Sequence, residues 1–234
     1  QNKNRADPRV THNVTLEVDS FGNVLKSVAI GYGRRMKDLE LLPGDREKQS
    51  QLLITYTENS YTNPIPDPKK LTAEELSEYD AYRAPLQSET RSFEIIKFEP
   101  ASGKPDNMSI TPLFRFEELA GLVSEEEFSQ GKRDVPYEDI KHIKATDSHP
   151  YRRIIEHVRV LYRSNDLKEL LPLHALEPLA LIGETYKLAF TPGFFKSDSI
   201  KPVYRRERSD LPTEYLIPDP SAVLGSKGPD GGGY

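Results

Sequence analysis

Five histidines have the broadest potential chemistry in this sequence: His12, His142, His149, His157 and His174. A histidine can transfer a proton near neutral pH or bind a metal ion. No two of them stand four residues apart, the interval that places two metal ligands on one face of a helix. His12 falls on the apolar face of a predicted strand, where we expect a hydrogen-bonded core or edge histidine. The histidines therefore predict no metal site.

The segment at residues 147–149 contains the residue types of a catalytic triad, Asp147, Ser148 and His149. One continuous segment does not bring three side chains into triad geometry, and Pro150 follows directly, so we interpret it as a turn. The sequence has no Gly-x-Ser-x-Gly elbow, no cysteine and no phosphate-binding glycine loop. The acidic run at residues 125–127 complements the dipole of a predicted helix rather than indicating a cation site. We predict no enzymatic activity and no cofactor.

The clearest structural element is an antiparallel β-hairpin over residues 10–32. Apolar and polar residues alternate through both halves, which is typical of half-buried strands. Between the halves, Gly22 and Asn23 tolerate positive φ, and the Asp19 carboxylate can accept hydrogen bonds from the backbone ahead of it. We predict that Asp19, Gly22 and Asn23 form the hairpin turn.

Four further strands are predicted at residues 51–58, 91–98, 151–163 and 186–191. The third is ambiguous, because its apolar residues fit a strand and a helix equally well; its β-branched content favours a strand. On that interpretation four charged or polar residues face outward: Arg153, His157, Arg159 and Arg163.

Short helices are predicted at residues 72–79, 115–128 and 165–171. The first begins with a capping box at Thr72 and Glu75, and Ser124 is a candidate cap for a second helix inside the 115–128 range. Proline and glycine predict a loop-rich end over residues 218–234. The fold class is therefore mainly β, built from antiparallel hairpins with a few short helices. No change of composition divides residues 1–234 into two domains.

Charge and composition exclude several functions. The 234 residues include 32 basic and 37 acidic ones, mixed along the chain, for a net charge of −5. No basic stripe of the kind that binds nucleic acid is present, and the densest basic cluster, at residues 201–208, is interpreted as a solvated loop. No apolar run reaches the 18 or so residues that cross a bilayer, and no signal peptide opens the chain.

The segment over residues 14–27, VTLEVDSFGNVLKS, resembles the opening of the middle/C-terminal region of TcB-type (TcdB/SpvB-like) components of insecticidal toxin complexes. Its Asp19-x-x-Gly22-Asn23 core is also similar to the YD repeat of the Rhs family, where an aspartate and a glycine turn one β-hairpin into the next. Further similar strings follow in order: IGYGRR at 30–35, ITYTEN at 54–59, ETR at 89–91, IEHVRVLYR at 155–163, YKLAFTPG at 186–193 and DGGGY at 230–234. The collinear set carries the resemblance.

The resemblance implies a structural role in a secreted toxin complex. In that family, TcB-like and TcC-like chains form two halves of a hollow shell, a spiralling sheet of β-hairpins around a cytotoxic payload. The expected partners are a TcC-like chain with its payload and, through other parts of the protein, a TcA-like channel. No residue here matches the family's docking gate or its self-cleaving aspartates, so no catalytic, cofactor or metal residue is transferred. Because the chain starts at Gln1 and family chains continue past the Gly-Gly-Gly-Tyr string, we expect an internal segment of a longer protein.

Two other classes of protein remain open. A carbohydrate-active β-domain would place two carboxylates about 5–10 Å apart in a cleft. An adhesive or binding β-domain would show a closed sheet. A shell segment would instead have open strand edges, which recruit other chains. We therefore expect the isolated segment either to self-associate through a β-edge or to owe its order to partner chains.

Overall fold

The structure is a computed structural model that describes residues 7–34, 36, 38–77, 80–101, 113–135, 137 and 149–189. The predicted loop-rich end at 218–234, the basic cluster at 201–208, His142, Asp147 and Ser148 lie outside these residues.

The described part of the chain folds into seven strands and four short helices. The strands are β1 (Thr11–Val18), β2 (Val24–Gly31), β3 (Leu53–Tyr61), β4 (Gln87–Ile96), β5 (Asp134–Val135), β6 (Tyr151–Tyr162) and β7 (Ile182–Lys187). The helices are α1 (Pro43–Ser50), α2 (Ala73–Ser77), α3 (Phe116–Ser124) and α4 (Glu126–Ser129). The mainly β fold class is confirmed.

All seven strands belong to one sheet. Its order is β1-β2-β3-β4-β6-β5, and β7 pairs with β6 on the same side as β5. Every pairing is antiparallel except the short one between β5 and β6. The predicted hairpin at residues 10–32 is confirmed as the β1–β2 pair, whose register joins Thr11 to Gly31. Within the described residues, β1 pairs only with β2 and β7 only with β6, so each leaves one edge open.

The main core lies on one face of this sheet. Aligned residues of three neighbouring strands form its floor, with Val28 beside Tyr56 and Tyr56 beside Phe93. Helices α3 and α4 cover the floor with buried side chains, including Leu119 and Phe128, which are 1% and 0% exposed. Each such side chain contributes roughly 1.5–3 kcal/mol by leaving water, so this contact holds the helices on the sheet.

A smaller core fastens the loop between β6 and β7. It consists of Ile65, Tyr162 and Leu176, with Leu86 and Leu171 among the half-buried residues around it. The loop therefore packs against the proline-rich connection between β3 and β4.

Two predicted helices are close to their predicted positions. Helix α2 begins after Thr72, whose backbone N–H donates to Glu75 Oε2 over 2.8 Å, while the Glu75 N–H donates back to Thr72 Oγ1 over 3.3 Å. This pair is the predicted capping box. The 115–128 range is two helices, but Ser124 does not cap the second. It ends α3, where its hydroxyl donates to the Ala120 carbonyl over 2.8 Å.

The predicted helix at residues 165–171 is wrong. The segment is a series of turns, because local side-chain bonds compete with a helix. Ser164 Oγ donates to Asp166 over 2.6 Å, and the Ser164 backbone N–H donates to the Glu169 carbonyl over 3.0 Å. Leu167 also has a positive φ of 63°, which no α-helix contains. The sequence analysis also missed α1 and β5.

The strand predicted at 151–163 is β6 (Tyr151–Tyr162), but the predicted outward positions of His157 and Arg159 are wrong. Successive register pairs with β4 are Ser92 with Glu156 and Phe93 with Ile154, so Ile155 is an extra residue, a β-bulge. The bulge reverses the alternation beyond it and turns His157 onto the core face, where it is 3% exposed. The strand predicted at 186–191 is displaced: β7 begins at Ile182 and ends at Lys187, and residues 190–191 lie outside the described residues.

Candidate functional site

The turn between β1 and β2 contains Asp19, Gly22 and Asn23. The Asp19 carboxylate accepts hydrogen bonds from the backbone N–H groups of Phe21 (2.9 Å) and Asn23 (2.8 Å) and from the Asn23 side chain (2.9 Å). Gly22 has φ +83°, whereas Asn23 is not in the positive-φ region. Although desolvation acts to raise it, these hydrogen bonds lower the pKa of Asp19. The turn is a closed structural unit.

Charged residues continue from this hairpin across the sheet. The charged rung consists of one aligned residue from each of five adjacent strands: Glu17, Lys26, Glu58, Arg91 and His157. Lys26 lies 2.7 Å from the Glu17 carboxylate, and Arg91 lies 2.8 Å from the Glu58 carboxylate. The charges alternate in sign from β1 to β4, and opposite charges on neighbouring strands favour this register.

Arg152 lies between the charged rung and the apolar core. Its guanidinium bonds to Glu58 over 3.0 Å and to Asp134, while its central carbon lies 4.5 Å from the centroid of the Phe93 ring. Desolvation and the Glu58 carboxylate raise the pKa of Tyr56, whose hydroxyl donates to Glu58 over 3.0 Å. A largely buried carboxylate thus has partners on two sides, which is a stabilising arrangement.

A second polar group, the histidine cluster, comprises Ser88, Glu89, His157, Arg159 and His174. His157 Nε2 lies 2.6 Å and Arg159 Nε 2.7 Å from Glu89 Oε1, and His174 Nε2 lies 4.0 Å from Glu89 Oε2. His174 Nδ1 lies 2.7 Å from Ser88 Oγ. Desolvation acts to raise the pKa of Glu89, but the bonds from His157 and Arg159 outweigh it and lower the pKa to about 2.

The histidine cluster contains a serine, a histidine and a carboxylate in contact. The Ser88 side chain is nevertheless 0% exposed, and its hydroxyl also lies 3.1 Å from the Ser60 carbonyl. A nucleophile must reach its substrate, and this hydroxyl lies beneath the surface. The arrangement therefore stabilises the junction of β4 with the loop after β6.

The other residues of the sequence analysis lie apart from these clusters. His12 lies on the inward face of β1, and its Nδ1 is 3.2 Å from the Tyr32 hydroxyl, as expected for a bonded edge histidine. His149 lies exposed before β6. Among the described residues, no three potential ligands of the His, Cys, Asp or Glu types are grouped around a common point. The longest helix there, α3, has nine residues, and none could span a bilayer.

Residues 1–73 match the family model of the insecticide toxin TcdB middle/C-terminal region. We call residues 1–73 the TcB-like segment, because they are similar to that family. The match confirms the resemblance drawn from the hairpin and from the strings at 30–35 and 54–59, which lie within it. It covers β1, β2, α1 and β3, and therefore includes the Asp19 turn and three of the five residues of the charged rung. No curated protein matches the chain.

Three crystal structures are similar to this chain. The complex TcdB2–TccC3–Cdc42 aligns with 22% identity and a TM-score of 0.46 over 81% of this chain. TcdB2–TccC3 without its hypervariable C-terminal region aligns with 21% identity and a TM-score of 0.47 over 89% of it. A further structure of TcdB2–TccC3 aligns with 20% identity and a TM-score of 0.47 over 89%. In each case the chain spans 8% of the length of the matched chain.

Sequence reasoning missed both polar clusters. A signal was present, because Glu89 and Arg91 stand near one predicted strand while His157 and Arg159 stand in another. Opposite charges within two strands indicate a pairing, but only the register and the Ile155 bulge bring them onto one face.

Proposed function

We propose that this chain is a segment of the β-sheet shell of a TcB-type toxin complex component, with a structural and non-catalytic role. The observation that carries the proposal is the match of residues 1–73 to the TcdB middle/C-terminal family model. In this role the sheet forms part of the shell that encloses the payload.

The sheet itself supports this role. The TcB-like segment ends after β3, and the same sheet continues through β4 and β6 without a break. Two edges, on β1 and β7, have unpaired outer sides within the described residues. Strand β7 is exposed on both faces, with Ile182 at 65% exposure. Proteins usually cover or shorten such edges, so these edges favour continuation by neighbouring hairpins over a finished domain.

The proposed partners follow from the family resemblance. A TcC-like chain would complete the shell and contribute the payload, and a TcA-like channel would dock on other parts of the full protein. The complex would be secreted. Ser88 is buried, Glu89 pairs with Arg159, and Glu58 pairs with Arg152. These contacts stabilise the fold, which supports a shell segment that has no catalytic activity of its own.

Cryo-electron microscopy of the full-length protein assembled with a TcC-like partner tests the proposal. The expected map shows β1 and β7 hydrogen-bonded to strands outside residues 1–234, with the sheet curving around an enclosed density. A map in which both edges face solvent, or in which the domain lies outside the shell, would contradict the proposal. A catalytic role would appear instead as a cleft with substrate-sized density against the histidine cluster.

A further inference from the structure

The loop over residues 163–181 is fastened to the sheet by a small set of polar contacts. The Asn63 side chain bonds to the backbone of Leu176 through both of its polar groups. The Leu176 N–H donates to Asn63 Oδ1 over 2.8 Å, and Asn63 Nδ2 donates to the Leu176 carbonyl over 3.2 Å. The Asn63 N–H also donates to the His174 carbonyl over 3.1 Å. The His174 ring adds the contact to Ser88, the only one of these contacts that involves a titratable side chain of the loop.

The backbone around His174 is shaped for this contact. His174 has φ +70°, in the left-handed region that is unfavourable for a residue with a side chain. Its side chain is 42% exposed, so protons reach the ring from solvent. The loop therefore holds a strained residue in place while one side of its ring contacts β4.

Basic groups outnumber acidic ones around the ring. Strand β4 contributes Glu89 and Arg91, and β6 contributes Arg159 and His157. The Glu89 carboxylate bonds to Arg159 and His157 through Oε1, its Oε2 lies 4.0 Å from His174 Nε2, and Arg91 pairs with Glu58. A proton added to His174 would thus place another positive charge beside two arginines that share the available carboxylates.

We propose that the His174 ring is an acid-sensitive contact that holds the 163–181 loop on the sheet. Protonation of this ring would loosen the loop and the edge strand β7 to which the loop leads. The direction agrees with the ring's surroundings. Desolvation lowers the pKa of His174, Glu89 acts to raise it, and Arg159 and Arg91 lower it further. The undocked loop, with an ordinary histidine, therefore binds more protons than the docked loop below about pH 6.5, so docking weakens as the pH falls.

Strand β7 transmits the effect to the edge of the sheet. The Arg163 N–H donates to the Leu181 carbonyl over 2.8 Å, and the Leu171 N–H donates to the Tyr162 carbonyl over 2.7 Å. These bonds close the loop at the end of β6, next to the first residue of β7, Ile182. When the loop undocks, β7 loses the closure that fixes its start.

Hydrogen exchange of the backbone amides tests the proposal between about pH 8 and about pH 5, where histidine changes charge. Exchange is expressed relative to an unstructured chain at the same pH. We expect the Leu171 and Leu176 amides to lose protection at the lower pH, while the β1–β2 amides keep theirs. His174→Gln should abolish this loss, and the control His12→Gln should leave it unchanged.

A second readout is the midpoint of the His174 ring titration in the unaltered protein, followed by nuclear magnetic resonance. We expect a midpoint below about 6.5, the value of an unperturbed histidine. Arg159→Gln should raise that midpoint, because it frees Glu89 to pair with the protonated ring. An equal loss of protection in His174→Gln, no loss in the unaltered protein, or a midpoint above the unperturbed value would overturn the proposal.

Discussion

The guanidinium of Arg152 lies over the ring of Phe93, with 4.5 Å between its central carbon and the ring centroid. The same group pairs with Asp134 and with Glu58. The Arg152 side chain is 4% exposed, so a full charge is buried where the apolar core meets the charged rung. This one residue joins β6 to β3, to β5 and to the core beneath α4, whose Phe128 ring lies 5.3 Å away.

Replacing this arginine should destabilise the fold strongly. Arg152→Ala removes a cation–π contact and leaves Glu58 with one fewer partner in a buried setting. Breaking a buried ion pair costs about 3–5 kcal/mol, and we expect a loss of that size in the free energy of unfolding, measured by urea denaturation. Arg9→Ala, at an exposed residue, is the control and should change the value by less than about 0.5 kcal/mol. Equal effects would show that Arg152 is not a link between core and rung.

The hairpin turn should depend on the conformation of Gly22 rather than on its surroundings. A Cβ atom at Gly22 would meet no atom within 4 Å, so Gly22→Ala tests only the positive φ. We expect a loss of about 1–2 kcal/mol in stability, the cost of the left-handed region for alanine. Gly31→Ala provides the comparison, because that site is equally open and has no positive φ. Similar melting temperatures for the two variants would contradict this account of the turn.

Glu89 should make the stability of the protein depend on acid. Its pKa falls from 4.5 to about 2 on folding, so the stabilisation is complete above about pH 4.5 and is lost as the pH falls toward about 2. The shift corresponds to on the order of 3 kcal/mol at neutral pH. Glu89→Gln should lower stability at pH 7 and flatten the decline over that acid window, measured by denaturation at a series of pH values. An unchanged acid profile would mean that other carboxylates dominate it.

Strand β7 has an open edge within the described residues, and this edge should make the isolated chain associate. Ile182 is 65% exposed at the start of this edge strand, and a lysine there would place a charge where another strand must approach. We expect light scattering to show oligomers of the unaltered chain and a shift toward monomer in Ile182→Lys. Leu39→Lys changes an apolar residue that is 76% exposed but lies in a loop, and should leave association unchanged. A chain that stays monomeric at high concentration would have no free edge.

The parts of the fold that sequence predicted are those set by local patterns. The β1–β2 hairpin was predictable because strand alternation and the Asp19–Asn23 turn lie within a short stretch and agree with each other. The capping box at Thr72 is equally local. Both features are stabilised by residues that are neighbours in the sequence.

The errors arise where distant contacts or exceptions to periodicity decide the structure. A single bulge at Ile155 reverses the faces of β6, so simple alternation predicts an outward His157 although this residue lies on the core face. The histidine cluster likewise joins Ser88 to His174, which lie 86 positions apart. The 165–171 helix failed because the Ser164 turn bonds have no periodic signature. One sequence does not specify which residues of distant strands lie opposite each other, because that depends on the register of the sheet.

The central claim, that this chain is one segment of a continuous shell, is tested most directly by hydrogen exchange of the two edge strands in the assembled complex. The full-length protein is assembled with a TcC-like partner, and the β1 and β7 amides are compared with those of the interior strand β3. If neighbouring hairpins continue the sheet, the amides of all three strands exchange at similarly slow rates. If the β1 and β7 amides exchange much faster than the β3 amides in the same complex, the edges are free and the chain is a finished domain rather than a segment of the shell.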